Sequence, residues 1–235
     1  MTTCDHPEYR DLLAAVLAAP DDDLPRLVLA DWLDENGESA RAELIRVQVG
    51  IAGLRGALCT CDAGDGPGGY DPDCPYELWG RLKHRAVEIL RAHAGRWLAD
   101  LPAAFRPVLF SPLSDTFRRG FVSAVVGPGP DWVAHADAIL AAHPVESVAL
   151  TCPPEYSADY YAGGAVKVFL PAADGQVSAM SWNPEDALKA ALRVRWPAVR
   201  NWHLSGTEIV LEARRLLAGV RVTPGLLAPT PDARP

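Results

Sequence analysis

The sequence predicts an α+β protein in which an N-terminal helical module is packed on a small α/β lobe. Apolar residues recur at helical spacing through the first hundred residues, interrupted by one Gly- and Pro-rich segment at 56–75. Beyond Pro102 the period changes, and short β-rich runs alternate with helical ones. We therefore expect a helical module with a cysteine loop over 1–101, an α/β lobe over 102–228 and a disordered tail over 229–235.

Four helices are predicted in the N-terminal module. The first ends at Pro20, and the second is expected from about Pro25 to Asn36, because proline suits the first turn of a helix and Asn-Gly is a stop signal. Ser39 is the candidate N-cap of the third helix. A fourth helical pattern follows the cysteine loop, from Tyr76 to about Leu101.

The lobe alternates strands with helices, and this order favours parallel strand pairs with right-handed crossovers. The segment 153–164 is expected to be a loop, and a hairpin is expected between Ala165–Leu170 and Gln176–Trp182. The remaining predicted elements are strands at Gly120–Val126, Val145–Thr151 and Ala198–Leu204 and helices at Asp131–Ala142, Pro184–Arg195 and Thr207–Leu217.

Composition excludes several classes of protein. The 235 residues are 49% hydrophobic and carry a net charge of -8, which is typical of a globular domain. No run reaches the roughly 18 to 20 apolar residues of a membrane helix, so we expect no membrane partner. The N-terminus lacks the basic start and apolar run of a secretory signal, which predicts a cytoplasmic protein with reduced thiols. The acidic pI of about 5.2 disfavours nucleic acid, except at a local basic patch.

One carboxylate of the second helix has an unusual position. Leu24, Leu27, Val28 and Asp31 fall at i, i+3, i+4 and i+7, which predicts Asp31 on the apolar face. A buried carboxylate needs a partner, and Arg41 or Arg46 of the next helix can supply one. We interpret Asp31 as part of a structural ion pair, with a catalytic role as the alternative.

This passage identifies a family resemblance. Residues 26–37 read RLVLADWLDENG and residues 41–48 read RAELIRVQ, a pattern that closely resembles the bacterial repeat-companion domain over about residues 8–50. FRRGFV at 117–122 and AHPVESVAL at 142–150 resemble the degenerate leucine-rich-repeat-like units that commonly follow this module. The resemblance implies no enzymatic activity and suggests protein interaction. A third such unit starts at Arg195, which leaves the array short, so a compact lobe and a horseshoe both remain open.

The cysteines supply a zinc hypothesis. Three of the five lie in or beside the 56–75 loop, where a metal would close a segment with few apolar residues. Structural zinc takes four ligands, and the spacing also fits reduced thiols in a flexible loop, a disulfide or a redox role. The candidate metal ligands are Cys59, Cys61, Cys74 and His84, with Cys4, His6 and Cys152 as alternatives for the fourth position.

Binding, not catalysis, is the predicted function. No nucleophile elbow, protease cysteine motif or phosphate loop is present. We expect a non-catalytic module that binds a protein partner, through the parallel strands around Phe121, Ser123, Ser147 and Ala149. The alternatives are a zinc-containing accessory protein that associates with nucleic acid and a hydrolase using Asp31 or a metal. Arg195, Arg200 and Trp202 are the binding-surface candidates, since arginines beside a tryptophan can neutralise and stack single-stranded nucleic acid.

Overall fold

A computed structural model describes residues 6–54, 74–106, 116–161, 165–172 and 175–204. Helices and strands are mixed in these residues, which confirms the α+β class. No helix in the described ranges is long and apolar enough to cross a membrane.

The chain forms two compact units, each with its own core. The first contains the residues up to 124 together with 138–144, and the second contains 125–137 and the residues from 145 onward. One boundary between these units therefore falls near residue 124, and the predicted domain boundary at residue 101 stays a prediction. The physical reason is that the short hairpin at 117–122 packs on the helical module and is part of its core.

Four helices build most of the first unit, and each packs on the next in chain order. The second and third match the predicted ranges closely, although Glu38, not Ser39, occupies the N-cap position of the third. The fourth ends four residues earlier than predicted, at Trp97. The four helices are α1 (Pro7–Ala18), α2 (Leu24–Glu35), α3 (Ser39–Gly53) and α4 (Pro75–Trp97).

The apolar face of α2 differs from the predicted one. Leu24 and Val28 are exposed, whereas the face one position away is buried and includes Leu29 and Leu33. The periodicity fits either face, and packing against α1 and α3 selects the second. The core of the first unit consists of Val16, Leu29, Ala30, Trp32, Leu33, Ala42, Ile45 and Phe121.

The first two strands of the described chain form a hairpin. Strand β1 (Phe117–Arg118) pairs antiparallel with β2 (Phe121–Val122), so the strand predicted at Gly120–Val126 is divided between this hairpin and β3 (Ala124–Gly127). The division follows from the turn at Arg119 and Gly120, both of which have positive φ angles.

The second unit contains a three-stranded sheet ordered β3-β4-β8. A helix, α5 (Gly129–Ala142), leads from β3 to β4 (Ser147–Leu150). Strand β8 (Asn201–Leu204) lies parallel to β4, with Ser147 opposite Asn201. The predicted strand–helix–strand order of β3, α5 and β4 is present. The parallel pair is β4 with β8, and the predicted parallel pairing of β3 with β4 stays a prediction.

A separate antiparallel sheet, ordered β5-β6-β7, carries helix α6. The hairpin of β6 (Val166–Ala172) and β7 (Gly175–Ser181) is confirmed. The expectation of a loop at 153–164 is wrong in part, because β5 (Ser157–Tyr160) lies within it and pairs with β6. Asn183 is the N-cap of helix α6 (Pro184–Arg195), and its side chain accepts a hydrogen bond from the Glu185 backbone N–H at 2.8 Å. The helix predicted at 207–217 lies outside the described residues.

Candidate binding site

The β1–β2 hairpin is held close to helix α3 by its turn residues. Gly120 has a φ of 85°, and a Cβ atom built on it would lie 2.1 Å from Cγ1 of Ile45. Only glycine therefore fits this position without displacing the α3 backbone or the core side chain. The close approach places the hairpin against the buried side of α3 that carries Ile45.

Gln48 of α3 binds both ends of the hairpin turn. Its Nε2 donates to the Phe117 carbonyl at 3.1 Å, and its Oε1 accepts from the Gly120 N–H at 2.7 Å. The side chain is buried, so these bonds satisfy groups that would be expensive to leave unpaired. An isolated glutamine within a helix gives no sequence signal for such a role, and our sequence reasoning missed it.

Arg119 ties the same turn to the connection between α1 and α2. Its Nη1 donates to the carbonyls of Pro20 and Asp21 at 3.4 and 3.2 Å. Its Nε lies 3.0 Å from Oδ1 of Asp23, which makes an ion pair. The hairpin is therefore fixed from two sides, by α3 and by the loop before α2.

One of the two predicted alternatives was an ion pair between Arg41 and Asp31. The structure has Arg41 among aromatic rings instead. Its guanidinium carbon lies 4.9 Å from the ring centre of Trp97, 5.3 Å from Phe121 and 5.7 Å from Phe117. Cation–π contacts of this kind are favoured at such distances. Burial, and then the positive charge of Arg41, lower the pKa of His143 to about 4, so this imidazole is neutral at physiological pH.

Arg46 is the residue that pairs with Asp31. Its two terminal nitrogens lie 2.8 Å from Asp31 and 2.9 Å from Asp34. The Asp31 side chain is 72% exposed, so the expectation that it lies on the apolar face is wrong. Hydrogen bonds from Ser39 and then Arg46 lower the pKa of Asp34. The arrangement joins α2 to α3 at the surface.

A cavity of about 450 Å³ opens in the first unit where α3, α4 and the β1–β2 hairpin meet. This volume is in the range of roughly 300 to 1,000 Å³ that is typical of ligand sites. The lining combines small apolar side chains with two aromatic rings and three cations. It consists of Gln48, Ile51, Ala52, Trp79, Lys83, Ala86, Phe117, Arg118, Arg119 and Ser123.

The charge of this cavity contrasts with that of the chain. Lys83, Arg118 and Arg119 line it and no carboxylate of the described residues does, although the chain carries a net charge of -8. Two acidic side chains of the same helices, Glu43 and Glu88, are bound by Arg85 and are not part of the lining. Asp23 forms an ion pair with Arg119, and Lys83 adds a further positive charge to the local potential.

Aromatic rings extend the cavity along α4. The Lys83 ammonium lies 4.4 Å from the ring centre of Trp79. Tyr76 stacks on Trp79 with ring centres 6.1 Å apart and is 65% exposed. The apolar surface therefore continues from the cavity onto the exposed side of α4. We call the cavity and these two rings the cationic groove.

The candidate zinc ligands are only partly described. Cys59 and Cys61 lie outside the described residues, and Cys74 is buried at the N-cap of α4. His84 is 77% exposed and lies 3.3 Å from Glu88. Ten residues of helix separate Cys74 from His84, a rise of about 15 Å, which is too far for both to bind one zinc ion. In the described ranges no three His, Cys, Asp or Glu side chains form a metal-binding group.

The predicted arginine and tryptophan residues are only partly together at the surface: Arg195 is half-buried, with its guanidinium carbon 4.7 Å from the ring centre of Trp196. Trp202 is 4% exposed and packs with Trp132 and Trp196, the three ring centres being 5.7 to 6.0 Å apart. Trp196 donates to Oδ1 of Asp137 at 3.3 Å. Arg200 is exposed just before β8, but no tryptophan of this cluster is free to stack a base.

The expected binding face of the strands is also different. Phe121 and Ser123 are buried in the first unit, at 2% and 8% exposure. Ser147 and Ala149, on β4 of the second unit, are half-buried. The buried Phe121 therefore does not form an exposed face with Ser147 and Ala149, whereas Ser123 contributes to the lining of the cationic groove, which becomes the candidate site.

The fold and this groove define the chain as an α+β protein with a cationic, aromatic cavity in its helical unit. No family model, curated protein or solved structure matches the chain. The resemblance to the repeat-companion domain therefore stays a prediction.

Proposed function

We propose that the chain is a non-catalytic binding module and that its cationic groove takes an acidic segment of a partner protein. The observation that carries the proposal is the lining of the groove, in which the described residues supply three cations and no carboxylate around apolar side chains. Charge complementarity of this kind selects anionic partners and speeds their encounter. The proposal keeps the protein partner that the repeat-companion resemblance suggests.

Two features favour a protein segment over a small anion. The lining contains Ile51, Ala52 and Ala86, which offer contacts to apolar side chains but none to a free phosphate. Exposed aromatic surface continues from Trp79 to Tyr76 beyond the cavity, so a ligand that also covers these rings buries more area. Acidic residues flanking an apolar or aromatic residue match this combination of charge and surface.

The groove is also preorganised, which lowers the entropic cost of binding. Its hairpin wall is held by Gln48 and Arg119, and its two helices are joined by Arg85 of α4, which binds both carboxylate oxygens of Glu43 at 2.6 and 2.8 Å. A binding site that does not reorganise retains more of its interaction energy as affinity.

Fluorescence anisotropy with designed peptides tests the proposal. The probe is a short labelled peptide with glutamates around a central Leu and Trp, and its control has lysines in place of the glutamates. We expect the acidic peptide alone to bind and its affinity to fall with salt. Lys83→Glu and Arg118→Glu should each weaken binding about ten-fold or more, because each reverses a charge at the site.

Arg91→Glu is the matched control, since it reverses an exposed charge of the same helix that does not line the groove. It should leave the affinity within about two-fold. Equal losses of affinity for Arg91→Glu and Lys83→Glu would show that binding depends only on net charge. This result would overturn the proposal that the groove is the binding site. A single-stranded DNA probe that outcompetes the acidic peptide at the same residues would replace this proposal with the nucleic-acid alternative.

A further inference from the structure

The two edges of the β5-β6-β7 sheet are built differently. Strand β5 has four residues, carries Asp159 and is preceded by Pro153-Pro154-Glu155. Short length, charge and proline are the devices by which edge strands avoid pairing with other chains. This edge is therefore protected.

Strand β7 has none of these devices. It is seven residues long, and the run from Gly175 to Asn183 contains neither a charged residue nor a proline. Its only strand partner in the described part of the chain is β6, so no strand among those residues pairs with the other side of its backbone. A long, uncharged edge is a template for a further strand.

Large apolar side chains stand beside this open edge. Met180 of β7 and Trp182, which follows the end of the strand, are 56% and 75% exposed. Met180 lies opposite Lys167 of β6, on the face turned away from α6, because Val168 and Leu170 are buried on the other face. Tryptophan and methionine at such exposure are enriched in protein interfaces.

We propose that β7 pairs antiparallel with the β7 strand of a second copy of this chain. A two-fold axis gives both copies the same surface, and an uncharged strand of equal length complements itself in hydrogen bonding. Copies with a charge of -8 repel one another, and they approach most easily where the contact surface is neutral, as it is from 175 to 183. The pairing joins two sheets and brings Met180 of both copies onto one continuous face.

Sedimentation equilibrium of the full chain over a concentration series tests the pairing. We expect a reversible monomer–dimer equilibrium. Amide hydrogen exchange, followed by mass spectrometry, should show peptides covering 175–183 more protected at high concentration than at low concentration, because pairing adds backbone hydrogen bonds there. Peptides covering β5 at 157–160 serve as the internal control and should exchange at a rate independent of concentration.

Met180→Glu is the discriminating variant. The new carboxylate faces Lys167 within the sheet, so the monomer keeps its fold, while like charges approach in the dimer. We expect the dissociation constant of the dimer to rise about ten-fold or more. Val194→Glu removes an equally exposed apolar residue from α6, away from the edge, and should leave the equilibrium unchanged.

Three results would overturn the proposal. A chain that stays monomeric at the highest soluble concentration has no such pairing, and its β7 edge would then be open to an extended segment of another protein. A dimer that Met180→Glu leaves intact is formed elsewhere on the surface. A dimer without added protection at 175–183 does not use backbone pairing. Circular dichroism of both variants confirms that any loss of dimer is not a loss of fold.

Discussion

At the scale of single residues, the hairpin turn is the most constrained point of the first unit. Arg119 and Gly120 both adopt positive φ angles, which a two-residue hairpin turn requires. Arg119 is held there by its bonds to the loop before α2, and Gly120 by its contact with Ile45. The sequence Arg-Gly is a weaker turn signal than Asn-Gly, so contacts outside the hairpin contribute to its stability.

Gly120→Ala should lower the free energy of unfolding by about 2 to 4 kcal/mol, the sum of a strained φ and a steric clash with Ile45. Denaturant unfolding measures this change. Gly37→Ala is the control, because Gly37 has a similar φ of 81° but no heavy atom within 4 Å of the added Cβ. It should be destabilised by only about 1 to 2 kcal/mol. Equal losses for the two variants would contradict the close approach of Gly120 to Ile45.

At the scale of elements, tryptophans of the second unit have opposite roles. Trp202 on β8 is enclosed by Trp132 of α5 and by Trp196, in edge-to-face and tilted contacts. Trp182, at the end of β7, has 75% of its surface exposed. The first fills the space beside the parallel sheet, whereas the second contributes little to the core of the unit.

Trp202→Ala should reduce the stability of the second unit by about 3 to 5 kcal/mol, because it leaves a large cavity among aromatic rings. Trp182→Ala should change stability by less than about 0.5 kcal/mol when measured at concentrations where the chain is monomeric. Thermal or urea unfolding followed by near-ultraviolet circular dichroism distinguishes them. A large effect at Trp182 and a small one at Trp202 would contradict the packing described for this unit.

At the scale of the whole molecule, the chain is acidic, but several of its positive side chains are concentrated in the first unit. The net charge is -8, yet the described lining of the cationic groove includes three cations and no carboxylate, and Arg41 lies among three aromatic rings near the neutral His143. Total charge therefore predicts neither the potential at the groove nor the protonation of the buried imidazole. Both depend on which side chains folding brings together.

The free energy of unfolding should fall in acid partly because of His143. Its pKa is about 4 in the folded protein against a usual value of 6.5, so below pH 6.5 the unfolded chain binds a proton that the folded chain does not. This contribution is full above pH 6.5 and decreases towards pH 4. It should make the protein about 2 kcal/mol less stable at pH 5 than at pH 8.

His143→Leu supplies the comparison, because it removes this titration and leaves the carboxylates in place. Asp34 and Glu43, whose pKa values are lowered by their partners, also destabilise the fold in acid, but equally in both proteins. Urea unfolding at pH 5 and pH 8 should therefore show a smaller pH effect for His143→Leu than for the wild type. Identical pH effects in the two proteins would exclude a neutral, buried His143.

Several features could be predicted because they depend on neighbours in the chain. Proline, Asn-Gly and apolar spacing predicted the positions of α2 and α3. The two β-rich runs on either side of 172–175 predicted the β6–β7 hairpin. The pairing of Arg46 with Asp31 was one of the two predicted alternatives, in which an arginine of α3 reaches back across the turn to α2. Local propensity is sufficient for such features, since each involves residues only a turn or a loop apart.

The sequence by itself therefore determined the mixture of helices and strands, the order of most elements and an acidic total charge. Tertiary structure alone decided which face of α2 is buried, that Trp202 lies in the core, and that Gln48 and the hairpin form a wall of the cationic groove. The physical reason is the distance along the chain. Gln48 contacts a strand 69 residues away, and Lys83 meets Arg118 at one cavity. Such contacts depend on packing across elements, for which the spacing of residues in a segment carries no signal.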